Sequence, residues 1–352
     1  MQTLWPRIRN YLFLAVAAGL IYIVFKDVDF AWMWNEIKQA NFAWIGLSIV
    51  CGILAMASRA YRWKLLLEPL GYKPGFLHLF YGVSIGYFAN IALPRMGEVV
   101  RCTILNQTDN VPVNQSFGTV ILERVIDVVM LLGLIALVVF TRYDLFGDFF
   151  MKEFFSGKIG SVNALMERYG LLLIILGLAL LLALMALIRL VRGPWKHKAI
   201  VQKISGFLAG IGDGLITLFK MKRKWAFLFH TLFIWGNYFL MTWVCVYSYE
   251  PTAGLGPFDG LFLMVVGGLG MTAPVQGGFG AFHYLVEKAL MIYQINPSIN
   301  PLSGAELRPG LVFATIVHTG QFVMTVVLGA LSLMAFTLFR RKKSNHESAP
   351  NP

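Results

Sequence analysis

Long apolar runs separated by short polar segments set the pattern of this chain. Six runs read as full membrane-spanning helices: roughly residues 9–25, 42–58, 117–140, 170–191, 227–247 and 311–339. Their lengths scatter around the ~20 apolar residues that cross a hydrocarbon core as an α-helix. Two further runs are interrupted. One extends from about Phe76 to Leu93, breaks at Pro94 and continues as RMGEVVR. The other extends from about Phe258 to Ala273, breaks at Pro274 and continues as VQGGFGAFHYLVEKAL. Proline and clustered glycine end helices. At membrane depth a broken helix survives only where protein or a water-filled cavity satisfies the freed backbone groups.

Charge fixes the threading. If each interrupted run is a hairpin that enters and leaves on one side, segments 1–10, 59–75, 95–116, 189–226 and 340–352 fall on one face. They carry 21 Lys and Arg against 5 Asp and Glu. Segments 26–41, 141–169, 248–257 and 294–310 fall on the other, with 7 against 9. By the positive-inside rule the first face is cytoplasmic, and so are both termini. Treating each interrupted run as one full span would place the nine basic residues of 189–226 outside.

Under this threading the halves at about 9–140 and 170–339 each read span, span, hairpin, span, with opposite orientation. Pro94 and Gly97 correspond to Pro274 and Gly277. Interrupted segments at matching places in inverted repeats point to a transport site. Residues 1–340 are therefore read as one transmembrane domain. A polar cytoplasmic tail is expected from 341 to 352, disordered after Lys343. The amphipathic stretch Ile204–Phe219 is expected along the inner interface.

Composition narrows the class further. Hydrophobic residues make up 57% of the chain and charged residues 14%, against roughly 25% charged in soluble domains. The fold expected is an all-α polytopic membrane protein. The net charge of +12 lies in short runs such as Arg340-Arg341-Lys342-Lys343, which suit anionic headgroups rather than nucleic acid. Arg7 and Arg9 before an apolar run resemble a signal peptide, but no small-x-small cleavage site follows, so an uncleaved span in the cell membrane is expected. Cys51, Cys102 and Cys245 are scattered and show neither disulfide nor metal-ligand spacing.

The residues with chemistry gather at the two interruptions. In LPRMGEVVR (Leu93–Arg101), Arg95 sits on the turn, and Glu98 and Arg101 share a helical face at a spacing of three. In ILERVIDVV (Ile121–Val129), Glu123 and Asp127 share a face, with Arg124 beside them. An ionisable group inside the membrane costs on the order of 3 kcal/mol and faces the bundle interior. These six charges sum to zero, which suits either a structural ion-pair staple or a polar cavity for a lipid phosphate. Asn90, Pro94 and Gly97 are read as support for the first break. At the second, Gln276, Gly277 and Gly278 are candidates to cradle an anion, with Pro274, Gly280, His283 and Glu287 in support. His283 and Glu287 alone do not make a metal site. His318 and Gln321 read as a helix–helix hydrogen-bonding pair. No metal, cofactor or catalytic motif is expected.

At these residues the chain resembles the lysylphosphatidylglycerol synthase transmembrane family, flippase-like membrane proteins. The carrying stretches are SRAYRWKLLL (Ser58–Leu67), GYFANIALPRMGEVVR (Gly86–Arg101), VILERVIDVV (Val120–Val129) and APVQGGFGAFH (Ala273–His283). The fourth departs from the family: Gln276 stands for a second proline, and Phe282-His283 for an Arg-Glu pair. The soluble aminoacyltransferase domain of bifunctional members is not expected here. The resemblance implies a lipid flippase or scramblase that moves a phospholipid or polyprenyl-phosphate lipid. Arg95, Arg101 and Arg124 would contact the anion, and Glu98, Glu123 and Asp127 would hold those arginines. An intramembrane lipid-modifying enzyme or glycosyltransferase subunit, and an ion-coupled small-solute transporter, remain open. Membrane lipids with anionic headgroups are the expected partners, and a homo-oligomer is allowed.

Overall fold

The computed structural model describes residues 18–93, 95–141, 221–273 and 275–347. The chain divides into two compact units, Met1–Tyr143 with Lys222–Pro352, and Asp144–Met221; every element named below belongs to the first. The expected span 170–191, the interfacial stretch 204–219, residues 9–17 of the first span, Pro94 and Pro274 lie outside the described residues; residues 18–25 are helical.

The described elements are all α apart from a two-residue β-hairpin. Helix α1 (Phe30–Gln39) starts at Asp29, whose carboxylate accepts from the Trp32 amide at 3.0 Å. Helix α2 (Phe42–Leu67) starts at Asn41, whose side chain accepts from the Ala43 amide. Both caps satisfy amides that a helix start leaves unpaired. Then follow α3 (Phe76–Ala92), α4 (Gly97–Asp109) and α5 (Val113–Thr141). The second half contributes α6 (Lys224–Trp243), α7 (Pro257–Met271), α8 (Ala281–Met291) and α9 (Pro309–Glu347). Strands β1 (Ser298–Ile299) and β2 (Glu306–Leu307) pair antiparallel.

Among the described residues four helical stretches are long and apolar enough to cross a bilayer: Phe42–Leu70, Val113–Thr141, Lys224–Ser248 and Pro309–Arg340. They coincide with four of the six expected spans, and the chain is an all-α polytopic membrane protein. Helix α5 shows the lipid-facing character most plainly. Val129, Leu132 and Phe140 are exposed on it, Phe140 by 88%. Such a surface suits acyl chains.

The interrupted runs form helical hairpins, and small residues let their limbs approach. In the first, α3 and α4 pack antiparallel. A Cβ on Gly82 would meet the Arg101 carbonyl at 3.4 Å, and one on Gly86 the Gly97 carbonyl at 2.8 Å. A Cβ on Gly97 would fall on the Gly86 carbonyl oxygen. In the second, a Cβ on Gly270 would meet the Phe282 backbone at 2.8 Å. Glycines four apart on one helix bring backbones together in membranes. Helix α3 has 17 residues and α7 has 15. At 1.5 Å per residue neither reaches the ~30 Å of a hydrocarbon core.

Polar contacts sort the loops into two groups. At one end, the Asp29 amide donates to the Glu306 carbonyl and Glu306 returns the bond to Asp27. Asn300 donates to the Asp29 carboxylate at 2.8 Å, and the Tyr249 hydroxyl to Glu36 at 3.1 Å. At the other, Arg223 reaches Tyr61 and Glu68, His78 meets Asp109, and Arg340 reaches Gln107. Among the described residues, the segments 26–41, 248–257 and 294–310 meet in the first group, and 59–75, 95–116, Arg340 and Arg223 contribute to the second. Each hairpin begins and ends within one group.

Two expectations need correction. The span read as 42–58 continues as helix to Leu67, carrying Arg59 and Arg62 into the interior rather than into a loop. Trp63, next to Arg62 and fully buried, donates to Thr119 at 2.8 Å and joins Leu67, Leu79, Val83, Cys102 and Val120 in one core. The tail expected to be disordered after Lys343 is helical to Glu347. No proline or glycine interrupts RRKKSNHE, and its cations suit a helix C-terminus.

Candidate functional site

The first break is closed by side chain and backbone together. Arg95 adopts a left-handed conformation (φ 63°), and α4 restarts at Gly97. The Gly97 amide, freed by the interruption, donates to the Asn90 side chain at 2.7 Å. Asn90 thus caps the second limb from the first. Arg95 is exposed on this turn and stands apart from the other charges, so its expected place in the cluster is corrected.

Below the break lie seven charged side chains from three helices. Arg59 and Arg62 come from α2, Glu98 and Arg101 from α4, and Glu123, Arg124 and Asp127 from α5. Arg62 and Glu123 are fully buried; Arg59 and Arg101 are each 3% exposed. Arg101 pairs with Glu123 at 2.7 Å, and Arg62 reaches Glu123 at 3.5 Å and Asp127 at 2.9 Å. Arg59 pairs with Asp127 at 3.1 Å. Arg124 pairs with Glu98 at 2.7 Å. The neutral surroundings also take part. Arg59 donates to the Tyr238 hydroxyl at 3.2 Å, and Arg101 lies 4.8 Å from the centre of the Trp63 ring.

These pairings revise two sequence readings. Glu98 and Arg101 share a helix but pair across helices, with Arg124 and Glu123. A partner reached from another helix here supplies a shorter contact than the local spacing of three. The cluster is also not neutral. Among the described residues, with Arg95 outside and Arg59 and Arg62 inside, four guanidiniums face three carboxylates. Arg59 and Arg62 were hidden because they sit just past an apolar run and count as positive loop charges. Their spacing of three, continuing a helix that began at Phe42, is the signal that places them on one face.

A cleft opens beside the cluster, lined by Arg59, Tyr87, Asn90, Glu98, Arg101 and Arg124 with Gly86 and Gly97 at its back. As it stands its enclosed space is small, about 10 Å³, room for about one water molecule, so a headgroup enters only where the lining side chains move apart. Five atoms of its lining residues are buried without a hydrogen-bond partner: Arg59 Nε and Nη1, Arg101 Nε and Nη2, and Glu98 Oε2; of these, Arg101 Nη2 is held in the ion pair with Glu123.

The second hairpin is built differently. Gly277, Gly278 and Gly280 have φ of 58°, 73° and 81°, conformations that favour glycine. The turn is not an open nest, however. The Gly278 amide donates to Val275 and the Phe279 amide to Gln276. The Gly277 carbonyl accepts from His318 Nε2 at 2.8 Å, because a carbonyl only accepts. His318 thus ties α9 to the turn. Gln276, Gly277 and Gly278 pack beside α3 and are not among the residues lining the charged cleft. His283 is buried against Phe25, Phe279 and His318. Glu287 forms an ion pair with Arg308, which also donates to the Val24 carbonyl. Arg308 was not among the residues singled out by sequence.

A multi-helix membrane protein with two broken hairpins and a buried, arginine-rich cluster at one of them is the class these observations define. The model of the lysylphosphatidylglycerol synthase TM region matches residues 11–329, and the chain belongs to this family. A UPF0104 membrane protein of Pyrococcus horikoshii is 24% identical over 315 residues, 81% of this chain and 90% of that protein. One of Methanocaldococcus jannaschii is 31% identical over 123 residues, covering 34% of this chain and only 35% of that protein. The glycosyltransferase AglD of Haloferax volcanii is 25% identical over 143 residues, 39% of this chain and 23% of that protein. No solved structure matches the chain.

Proposed function

We propose that this protein moves a phosphate-bearing membrane lipid between leaflets, with the headgroup held in the cleft at the first hairpin. One observation carries the reading: a membrane-buried cluster has one guanidinium more than its carboxylates, and unpaired nitrogens of Arg59 and Arg101 belong to residues lining the adjoining cleft. A buried, uncompensated cation is costly. A lipid phosphate supplies the missing charge and accepts several guanidinium hydrogens at once.

The packing supports a pseudo-twofold relation between the halves. Helices α2 and α6, equivalent in the two repeats, pack on each other. Helix α3 of the first hairpin packs on α9, and α7 of the second packs on α5. This exchange of equivalent contacts is what inverted repeats predict, and it favours alternating exposure of one site. The cytoplasmic assignment of the basic face and both termini belongs to the same reading. A glycosyltransferase reading rests only on the Haloferax relative's name. No observation at the cleft favours it over transport.

Reconstitution tests the proposal. Purified protein in liposomes should speed the exchange of a headgroup-proximal fluorescent phospholipid between leaflets. Exchange no faster than in protein-free liposomes, with folded protein present, would refute it.

A further inference from the structure

The cleft holds an acceptor as well as donors, and nothing in the ion-pair network uses it. Glu98 gives one carboxylate oxygen, Oε1, to Arg124 at 2.7 Å. Its other oxygen, Oε2, is buried and unpartnered, and Glu98 lines the same cleft as Arg59 and Arg101. Bare phosphate would satisfy the guanidinium nitrogens and leave this oxygen unmet. A buried charged acceptor left unsatisfied carries a desolvation penalty of its own. The remedy is a donor on the same ligand, placed a short distance beyond its phosphate.

We infer that Glu98 selects the headgroup, and that the cleft takes a phosphodiester lipid bearing an N–H or O–H donor on the second carbon from the phosphate ester oxygen. This rests on the lipid-transport reading above and sharpens it. The phosphate lies against Arg59 and Arg101, and the headgroup donor bonds Glu98 Oε2. Two lipid classes share this chemistry. An ethanolamine headgroup offers an ammonium there, and a glycerol headgroup offers a hydroxyl. Choline places a cation at the same point but has no N–H. Methanol places nothing there. The single negative charge of a glycerol-headgroup phosphodiester balances the one-guanidinium excess, whereas a zwitterionic ethanolamine lipid leaves the excess in place and gains its contact at Glu98 Oε2. Arg124, paired with Oε1, is the positioning residue that fixes the Glu98 carboxylate and leaves Oε2 without a partner in the protein.

The test is lipid titration of the full-length protein in detergent, read as thermal stabilisation, with four lipids of identical acyl chains. Phosphatidylethanolamine is compared with phosphatidylcholine, and phosphatidylglycerol with phosphatidylmethanol. The donor-bearing member of each pair should bind about tenfold more tightly, the scale of one hydrogen bond to a charged group. In Glu98→Gln the ethanolamine advantage should fall to about that of choline. The glycerol advantage should largely remain, because the amide oxygen still accepts from a hydroxyl. Equal binding of all four lipids overturns the inference and leaves the transport reading standing. Binding of none overturns both. An unchanged ethanolamine preference in Glu98→Gln removes Glu98 from the headgroup contact. The wild-type comparison of pairs decides the matter even where the variant folds poorly.

Discussion

Replacing Glu123 by Gln should destabilise the protein more than replacing Glu123 and Arg101 together. Glu123 is fully buried and lies 2.7 Å from Arg101, whose side chain is 4% exposed. Attraction at that distance is about 6 kcal/mol for an effective dielectric constant near 20, before desolvation is subtracted. In Glu123→Gln, Arg101 loses its carboxylate partner, while Arg62 keeps Asp127 at 2.9 Å. One buried guanidinium is stranded, at a cost of about 3–5 kcal/mol. Arg101→Gln should cost less, because Glu123 keeps Arg62 at 3.5 Å. In the double variant both groups are neutral, and most of the loss should return. Thermal unfolding in detergent of the four proteins gives the coupling directly. Additive losses, within about 0.5 kcal/mol, would refute the pairing. The pair Glu98→Gln and Arg101→Gln, one turn apart in sequence, is the control: their partners differ, so their coupling should be far smaller.

Other consequences are equally open to measurement. Gly97→Ala should cost several kcal/mol or abolish folding, since its Cβ would overlap the Gly86 carbonyl; a monodisperse, thermally unchanged variant would contradict the hairpin packing. Cysteines introduced at Glu250 and Ser303 should react with an external membrane-impermeant reagent, and those at Lys73 and Lys222 should not; the three native cysteines are buried and give little background. The Asp29 carboxyl lies below its ordinary pKa of 3.8, chiefly through its bond from the Trp32 amide and then through Asn300. A depressed carboxylate contributes stability above the unfolded pKa and loses it as pH falls through the folded value. The Tm gap between wild type and Asp29→Ala should therefore be full at neutral pH and shrink below about pH 3.8; a gap independent of pH would contradict the cap.

Much of this architecture was legible because the bilayer enforces it. Apolar length located α2, α5, α6 and α9, and Pro and Gly located both breaks. Charge bias grouped the described loops 26–41, 248–257 and 294–310, which polar contacts bring together. What sequence spacing could not supply was the partner of each charge. Within Leu93–Arg101 the local rule joins Glu98 to Arg101, yet tertiary packing sets Glu123 beside one and Arg124 beside the other. Arg59 and Arg62 were misplaced by a span boundary nine residues short, because a buried arginine and a loop arginine look alike in a hydropathy profile. The second glycine turn looked like an anion cradle because its φ angles demand glycine. Which amides are taken depends on the turn's own bonds, from Gly278 to Val275 and from Phe279 to Gln276, which residue identity alone does not reveal.

The central claim is that phosphate-bearing lipid passes through the cleft beside Arg59 and Arg101. The most direct measurement is leaflet exchange in liposomes by wild type and by the Glu123→Gln/Arg101→Gln double variant, with folding of both confirmed beforehand. Fluorescent phospholipid should become accessible to an external quencher beyond the outer-leaflet fraction with wild type. With the double variant it should stop at that fraction, because the network is neutralised in balance but a phosphate-facing guanidinium is gone. Exchange by the double variant at the wild-type rate would contradict the claim.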